Sequence, residues 1–266
     1  MKLLALGDIV GIRTVDCLEK ELWTLRSRLG ADCVVANGEN ADDIHGLSST
    51  QANRLLDAGV DLLTTGNHVW GKRDLIPLLE EESRVLRPAN YPPSAPGIGW
   101  SVIPAGSWRM LAINVMGNVF MDSLADPFET VEKILNRAAG SYDFAMLDIH
   151  AEATAEKLAL ARVFDGRISV IFGTHTHVQT ADEMILPHGS GYLTDLGMCG
   201  PVDGILGTEA DAVIARFLTH MPHRFLPAQG RIRLCGALFT LDNAFRVTAV
   251  ERISLPCSGT EKNTKK

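Results

Sequence analysis

The chain has 266 residues, of which 46% are hydrophobic and 21% are charged, and its formal net charge is −7. These values are ordinary for one soluble α/β domain with a substantial core. The negative charge argues against a broad basic surface for long nucleic acids. No apolar run approaches the ~20 residues of a membrane helix.

The start of the chain and its cysteines indicate the compartment. Asp8 interrupts the apolar N-terminal run after a few residues, which argues against a signal peptide. The five cysteines are odd in number and lack CxxC spacing. Cys33 and Cys235 lie in strand-like runs, where small buried thiols are expected. A cytoplasmic location is therefore predicted.

Strand-like runs alternate with helical runs through the first half of the chain. Capping residues and glycines predict helices over residues 14–29 and 48–59, and between Asp126 and Gly140. Further helices are expected at residues 153–164 and 208–219, and further strands at about 110–115, 143–149, 168–173, 191–196, 236–241 and 246–253.

The division of the chain into domains follows from its proline content and its polar end. Residues 87–108 contain five prolines and are expected to form irregular loop and short edge strands within one domain. Residues 1–256 are predicted to form that single domain. Residues 257–266 are polar and are predicted to be a disordered tail.

Five apolar, strand-like runs each end on residues that bind metals well. The runs are LLALGD (3–8), CVVANGEN (33–40), LLTTGNH (62–68), FAMLDIH (144–150) and SVIFGTHTH (169–177). Parallel strands end at one edge of a sheet, and ligands bind in the crevice outside those ends. Convergence is therefore expected for Asp8, Glu39, Asn40, Asn67, His68, His150, His175 and His177. So many oxygen and imidazole donors exceed the needs of one ion and indicate a two-metal hydrolase site.

The residue types at these strand ends suit a pair of cations. Alternate residues of an extended segment point the same way, so His175 and His177 can face one cluster. Glu39 can bridge two cations through its two oxygens, and Asn67 offers a neutral oxygen that preserves the Lewis acidity of the metals. Asp8 on its own fits a helix cap or turn equally well. Asp148 either accepts a proton from a ligand imidazole or points elsewhere.

These blocks resemble the ordered motifs of the calcineurin-like metallophosphoesterases. The passages NGEN, TTGNHVW, IHAEATAEK, GTHTHVQTADE and DLGMCGP make the chain similar to the bacterial YmdB-like family along nearly its whole length. The resemblance implies a four-layer α-β-β-α sandwich, a binuclear site with iron or manganese, and self-association into a homo-oligomer. It also implies phosphodiesterase activity on a small anionic substrate, a cyclic nucleotide, with 2′,3′-cyclic monophosphates favoured.

The resemblance implies a role for each residue of the cluster. His68 would donate a proton to the leaving group, after attack by a hydroxide held between the metals. The implied ligands of one metal are Asp8, Glu39, Asn40 and His177, and those of the other are Glu39 as the bridge, Asn67, His150 and His175.

The chain departs from the wider superfamily at three points. Ile9 and Val10 follow Asp8, where the superfamily usually has Asp-x-His, so Asn40 is expected to replace the missing imidazole. Glu39 stands where the bridging residue is usually Asp. Val69 stands where an acidic residue commonly orients the histidine, which leaves open how His68 is held.

Other functions fit part of these residues. A phosphomonoesterase such as a nucleotidase, or a metal-stabilised regulatory scaffold, is the alternative; an SGNH esterase would need serine directly after GD, where this chain has Ile9. His45 lies in a polar loop and could reach substrate, although a solvated position is favoured for it. Trp70, Phe120 and Tyr192 could stack a base, although core or interface positions are favoured for them. Surface positions are expected for His188, His220 and His223.

Overall fold

The computed structural model describes residues 1–43 and 45–257 of the chain. Within these residues, thirteen strands form two sheets, and six helices flank them. The strands are β1 (Lys2–Leu6), β2 (Asp8–Ile9), β3 (Cys33–Asn37), β4 (Leu62–Thr64), β5 (Trp100–Ala105), β6 (Trp108–Met116), β7 (Phe144–His150), β8 (Val170–Thr174), β9 (Met184–Ile185), β10 (Gly191–Leu193), β11 (Met198–Pro201), β12 (Ile232–Leu241) and β13 (Val247–Pro256). The helices are α1 (Ile12–Leu29), α2 (Ser49–Asp57), α3 (Leu75–Glu81), α4 (Pro127–Ala138), α5 (Thr154–Val163) and α6 (Ala210–Thr219).

The first sheet combines strands from both ends of the described chain, whereas the second is built from the central strands. The first sheet has the order β2-β11-β12-β1-β3-β4, with β13 also paired to β12. The second has the order β5-β6-β7-β8-β10-β9. Pairing is parallel between β1 and β3, β3 and β4, β6 and β7, and β7 and β8. The strands that carry the predicted ligands therefore run in parallel within each sheet.

Alternation along the strands separates three apolar layers. In β1, Leu3 and Ala5 pack between the two sheets with residues such as Phe172 of β8. Leu4 and Leu6 face the other way and pack against α1 and α2, because successive side chains of a strand point to opposite faces. A third apolar cluster joins the second sheet to α4 and α5. These layers confirm the predicted α-β-β-α sandwich.

Several element boundaries differ from the sequence prediction. Helix α3 was not predicted; its Pro77 lies in the first turn, where proline removes no intrahelical hydrogen bond. Strand β5 is the edge strand expected within the proline-rich segment. Cys257, the first residue of the predicted disordered tail, is instead buried and forms a disulfide with Cys17. This disulfide was not predicted from the sequence. Residues 258–266 of that tail lie outside the described residues.

In the described part of the chain, none of the helices is long and apolar enough to span a membrane.

Candidate metal centre

The predicted strand ends come from both sheets and meet at one edge of the sandwich. β1, β3 and β4 belong to the first sheet, whereas β7 and β8 belong to the second. The backbone N–H of His175, just after β8, donates to Asp8 Oδ2, just after β1, at 3.1 Å. This hydrogen bond joins the two sheets at the point where their polar strand ends face each other.

One group of donor atoms surrounds His150. Its Nε2 lies 3.1 Å from Glu39 Oε1, 2.9 Å from Asn67 Oδ1 and 3.1 Å from His175 Nδ1. Donor atoms of Glu39, His150 and His175 all lie within 4.8 Å of one another. Four residues from strands of both sheets thus present their ligand atoms to one small volume.

A second group of donor atoms also meets Glu39 at Oε1. Asp8 Oδ1 is 4.0 Å from His177 Nε2, and the amide nitrogen of Asn40 is 3.3 Å from both His177 Nε2 and Glu39 Oε1. Glu39 therefore lies between the two groups. Its other oxygen, Oε2, accepts a hydrogen bond from the backbone N–H of His68 at 3.2 Å.

Two buried oxygens without hydrogen-bond donors indicate whether cations fit this site. Among the described residues, Asp8 Oδ1 and Asn40 Oδ1 are buried and lack a hydrogen-bond donor. Such an atom is costly in a protein interior unless another group satisfies it. A cation beside Asp8 would satisfy its oxygen directly, and a 180° rotation of the Asn40 amide would turn its oxygen toward His177. The donor set therefore fits metal ions.

The outer nitrogens of His150 and His177 are both hydrogen-bonded. His150 Nδ1 lies 2.9 Å from Thr174 Oγ1, which in turn donates to Asp148 Oδ1 at 2.8 Å. His177 Nδ1 donates to the backbone oxygen of Leu206 at 3.2 Å. In the neutral form with its proton on Nδ1, each ring would turn an unprotonated Nε2 toward the cluster, and this is the form that binds metal. Asp148 therefore acts on His150 through Thr174.

His175 has the opposite orientation. Its Nδ1 faces His150, whereas its Nε2 lies 3.2 Å from a carboxylate oxygen of Glu152. The carboxylate favours a proton on Nε2 and so leaves Nδ1 free to bind a metal. Glu152 lies within the passage IHAEATAEK, but its role was not predicted, because its contact with His175 depends on the folded structure.

The loop that carries His175 and His177 is held by a buried ion pair. His175 and His177 have positive φ angles of 102° and 63°, which are unusual for residues other than glycine. Lys157 Nζ donates to the backbone oxygen of Thr174 and to Asp195 Oδ2, both at 2.8 Å. The same Asp195 oxygen accepts from the backbone N–H and the hydroxyl of Thr176. Lys157 and Asp195 thus hold the residues on either side of His175, Thr174 and Thr176.

His68 borders the cluster. Its ring is half-buried, its Nε2 lies 3.3 Å from the amide nitrogen of Asn67, and the ring of His45 stacks on it with a centroid distance of 4.2 Å. Val69 is buried in the core and does not contact the ring's polar atoms. The glycine of the GNH motif is also required, because a Cβ on Gly66 would lie 2.2 Å from His150 Nε2.

Residues 4–253 match the family model described as YmdB-like protein. The chain belongs to the YmdB-like family. A 2′,3′-cyclic-nucleotide 2′-phosphodiesterase of Bacillus subtilis is 39% identical over 95% of this chain and 96% of the relative. A hypothetical protein from Thermus thermophilus superposes with a TM-score of 0.90 at 39% identity, covering 96% of this chain and 99% of that one. A novel phosphatase from Mycoplasma pneumoniae also gives 0.90, at 31% identity, covering 96% and 93%.

These similarities confirm three predictions from the sequence. The resemblance to the YmdB-like metallophosphoesterases is correct, and so is the layered α/β fold. The predicted enzyme class, a phosphoric ester hydrolase with phosphodiesterase activity, is confirmed as well. Metallophosphoesterase relatives also imply metal ions, for which this YmdB-like chain has candidate ligand groups.

Burial and charge shift the pKa values in this YmdB-like centre. Burial raises the pKa of Asp8 to about 6, against the opposing effect of His177 and His150. Burial would also raise the pKa of Glu39, but the charge and hydrogen bond of His150 lower it to about 2. Burial would lower the pKa of His150, but Glu39 raises it to about 9. Burial and the charge of His150 lower the pKa of His175 to about 4. Without metal, Glu39 and His150 therefore form a buried ion pair.

A cavity of about 370 Å³ opens at this centre. Of the predicted site residues, it is lined by Glu39, Asn40, His68, His175 and His177; the other lining residues are His45, Glu152, Thr176, Leu206, Thr208 and Phe225. The base-stacking candidates from the sequence do not line it: Tyr192 is fully buried, Phe120 is 89% exposed and Trp70 packs on Tyr91. Leu206 and Phe225 were missed because they lie in an irregular segment without a motif. Surface positions are confirmed for His188, His220 and His223.

Proposed function

We propose that this YmdB-like protein is a two-metal phosphodiesterase that opens 2′,3′-cyclic nucleotides. The observation that carries the proposal is the position of Glu39 between two groups of buried donor atoms, one around Asp8 and one around His150. The B. subtilis relative, which shares 39% of its residues over nearly the whole chain, is named for this activity.

The ligand assignment follows the two groups. Asp8, Glu39, Asn40 and His177 would hold one metal, and Glu39, Asn67, His150 and His175 would hold the other. The donors are carboxylate and amide oxygens and imidazole nitrogens without a cysteine, a set that suits manganese or iron better than a thiolate-seeking metal. When bound, the two ions would lower the pKa of a water that attacks phosphorus and would neutralise the phosphoryl oxygens.

His68 would supply the proton for the departing ribose oxygen. The amide nitrogen of Asn67 faces His68 Nε2 at 3.3 Å and favours the tautomer with its proton on Nδ1. We therefore assign Nδ1 as the proton donor. Burial lowers the pKa of His68, so its protonated ring is a stronger acid but is less populated at neutral pH. The backbone hydrogen bond to Glu39 keeps this ring at the rim of the centre.

The test combines metal analysis with a comparison of substrates. Protein reloaded with Mn²⁺ or Fe²⁺ after chelation should contain two ions per chain. It should hydrolyse bis-p-nitrophenyl phosphate much faster than p-nitrophenyl phosphate, and it should open the 2′,3′-cyclic phosphates of adenosine, guanosine, cytidine and uridine.

Two outcomes would favour the alternatives. Faster turnover of p-nitrophenyl phosphate and of nucleoside monophosphates would indicate a nucleotidase. Two bound metals without turnover of any phosphate ester would indicate a metal-stabilised scaffold. The cytoplasmic location stays a prediction from the sequence, which cell fractionation would check. The homo-oligomer stays a prediction from the family resemblance, which measurement of the particle size in solution would check.

A further inference from the structure

The lining of the cavity at the metal centre has a polar part and an apolar part. Candidate ligand residues, His45, His68 and Glu152 belong to the polar part. The apolar part, here called the apolar wall, consists of Leu206 and Phe225. Leu206 is 49% exposed, and the ring of Phe225 is half-buried. An apolar surface that faces a site for charged phosphate needs a ligand with an apolar face of its own.

The backbone places Leu206 at the tip of a tight turn. Leu206 and Gly207 both have positive φ angles, 50° and 87°. Ile205 and Thr208 close the turn through two backbone hydrogen bonds of 2.8 and 2.9 Å. A Cβ on Gly207 would approach Val10 Cγ1 to 2.7 Å, so this turn packs directly against the segment after Asp8. The turn is therefore fixed relative to the centre.

The segment before β12 fixes Phe225 beside this turn. The backbone N–H of Glu209 donates to the oxygen of Leu226 at 3.0 Å, and that of Ala228 donates to the oxygen of Gly207 at 2.8 Å. The guanidinium of Arg216, on α6, lies 5.5 Å from the centroid of the Phe225 ring. Because a cation already covers the ring on that side, its remaining surface is the part available to the cavity.

The apolar wall is also connected to a candidate ligand. The backbone oxygen of Leu206 accepts the hydrogen bond from His177 Nδ1 at 3.2 Å. A group that contacts the Leu206 side chain is thereby held at a set position relative to His177 and the reacting phosphate. This coupling suits a substrate whose apolar ring and phosphate are joined by a short spacer, such as the ribose of a nucleotide.

We propose that Leu206 and Phe225 form the nucleobase subsite, with the base stacked on the exposed part of the Phe225 ring. This inference rests on the proposed function. Neither side chain carries a hydrogen-bonding group, so the subsite accepts all four bases and ranks them by stacking area, purines before pyrimidines. The phosphate then lies over the metal ligands on the floor of the cavity.

Kinetics of Phe225→Ala test the subsite. We expect KM for the adenosine and guanosine 2′,3′-cyclic phosphates to rise roughly tenfold, the size of a lost base–aromatic stack, with a smaller rise for cytidine and uridine. The kcat should stay close to the wild-type value. Methyl riboside 2′,3′-cyclic phosphate, which has no base, should be hydrolysed with unchanged KM. Phe225→Trp should restore affinity for the nucleotides.

Two further variants show whether a change in KM reflects the subsite or a general disturbance of the fold. Asparagine adopts a positive φ angle more readily than most residues, so Leu206→Asn removes the apolar side chain with little backbone strain. This variant should also raise KM for the nucleotides and leave KM for the base-free ester unchanged. Phe217→Ala is the matched control, because Phe217 is 75% exposed on α6 and does not line the cavity. Equal increases in KM for the nucleotides and the base-free ester, or unchanged KM for both in Phe225→Ala and Leu206→Asn, would overturn the proposal.

Binding to the metal-free protein separates this proposal from the function on which it rests. Calorimetric titration with adenosine should show binding to the wild type and to Phe217→Ala, and a marked loss in Phe225→Ala. Failure of the loaded wild type to hydrolyse any cyclic ester would refute the proposed function, whereas wild-type binding of adenosine that Phe225→Ala retains would refute the subsite.

Discussion

The proposed metal centre has an inner and an outer half that differ in burial. Asp8, Glu39 and His150 form the inner half, and each is at most 1% exposed. The outer half consists of His68, Glu152, Leu206 and Phe225, which are half-buried or exposed. Hydrogen bonds from both sheets hold the inner residues, whereas the outer residues lie on turns and loops around the cavity mouth.

The difference in burial predicts different roles for the two halves of the site. Charged groups in a dry interior are costly unless other charges or metals compensate them, so the inner residues should control metal content and stability together. The outer residues are solvated and contribute little to folding. Changes at His68, Leu206 and Phe225 should alter rate and substrate preference while the metals stay bound, whereas a change at Glu152 should weaken only the ion bound by His175. The following variants test this division.

Glu39→Ala should have the largest effect, because Glu39 lies between both groups of donors. We expect loss of both metals and of all esterase activity, measured by elemental analysis and with bis-p-nitrophenyl phosphate. His177→Ala, which removes a donor from one group only, should weaken chiefly one ion. Complete and equal loss of both ions from the two variants would contradict the ligand assignment.

His68→Ala should separate chemistry from metal binding. We expect both metals to remain and bis-p-nitrophenyl phosphate to be cleaved appreciably, because p-nitrophenolate leaves without a proton. Hydrolysis of 2′,3′-cyclic nucleotides should fall roughly 10²–10⁴-fold, the usual value of general acid catalysis.

Metal analysis of the same variant distinguishes the other roles of His68. Loss of an ion would make His68 a ligand, and unchanged rates on both substrates would make it a bystander. Val69→Glu is an informative companion, since it restores the acidic residue that the wider superfamily commonly has after this histidine; its buried position predicts a loss of stability instead of a gain in rate.

Much of the fold was predictable because apolar periodicity is a local property. The strands that end at Asn37 and His150 and the helix before Gly30 stand out in the sequence. The assignment of strands to two facing sheets came from the family resemblance, because the alternation of strands and helices fits one sheet as well as two. Helix α3 was missed since Pro77 interrupts its pattern, and Cys257 was misjudged since its partner, Cys17, is 240 residues distant.

The candidate ligands were recognisable because each lies at the end of a strand-like run of the sequence. The residues that orient them were harder to predict, since their roles depend on contacts between distant segments. Lys157 and Asp195 lie in passages that carried the family resemblance, yet their meeting with Thr174 is visible only in the structure. Leu206 and Phe225 carry no sequence signal, because their position depends on backbone pairing in an irregular segment.

Lys157→Met tests whether the buried ion pair supports the turn at His175. Removal of one partner leaves the Asp195 carboxylate buried and should cost about 3–5 kcal/mol of unfolding free energy, measured by denaturation of the metal-free protein. Lys133→Met is the matched control; Lys133 is 75% exposed in an ion pair with Glu129, so no measurable change is expected.

A role beyond folding would appear in metal binding by the same variant. Where Lys157→Met still folds, weaker binding should be confined to the ion held by His175, with partial recovery in the double variant Lys157→Met, Asp195→Asn. Unaltered affinity for both ions in folded Lys157→Met would show that the pair stabilises the core without positioning the turn.

Glu152→Ala should give the smallest effect, and its size can be argued from exposure. The Glu152 carboxylate lies 3.2 Å from His175 Nε2, but its side chain is 52% exposed. Partners of this kind usually change metal affinity 10–100-fold, and solvation should place the loss here near tenfold. Only the ion bound by His175 should be affected, and the effect should shrink at high salt, because the contribution of an exposed charge is screened.

Glu152→Gln should lose less metal affinity, since its amide oxygen can still accept a hydrogen bond from Nε2 of His175. A loss that is equal for both ions, or insensitive to salt, would contradict the assignment of His175 Nδ1 as the metal-binding atom.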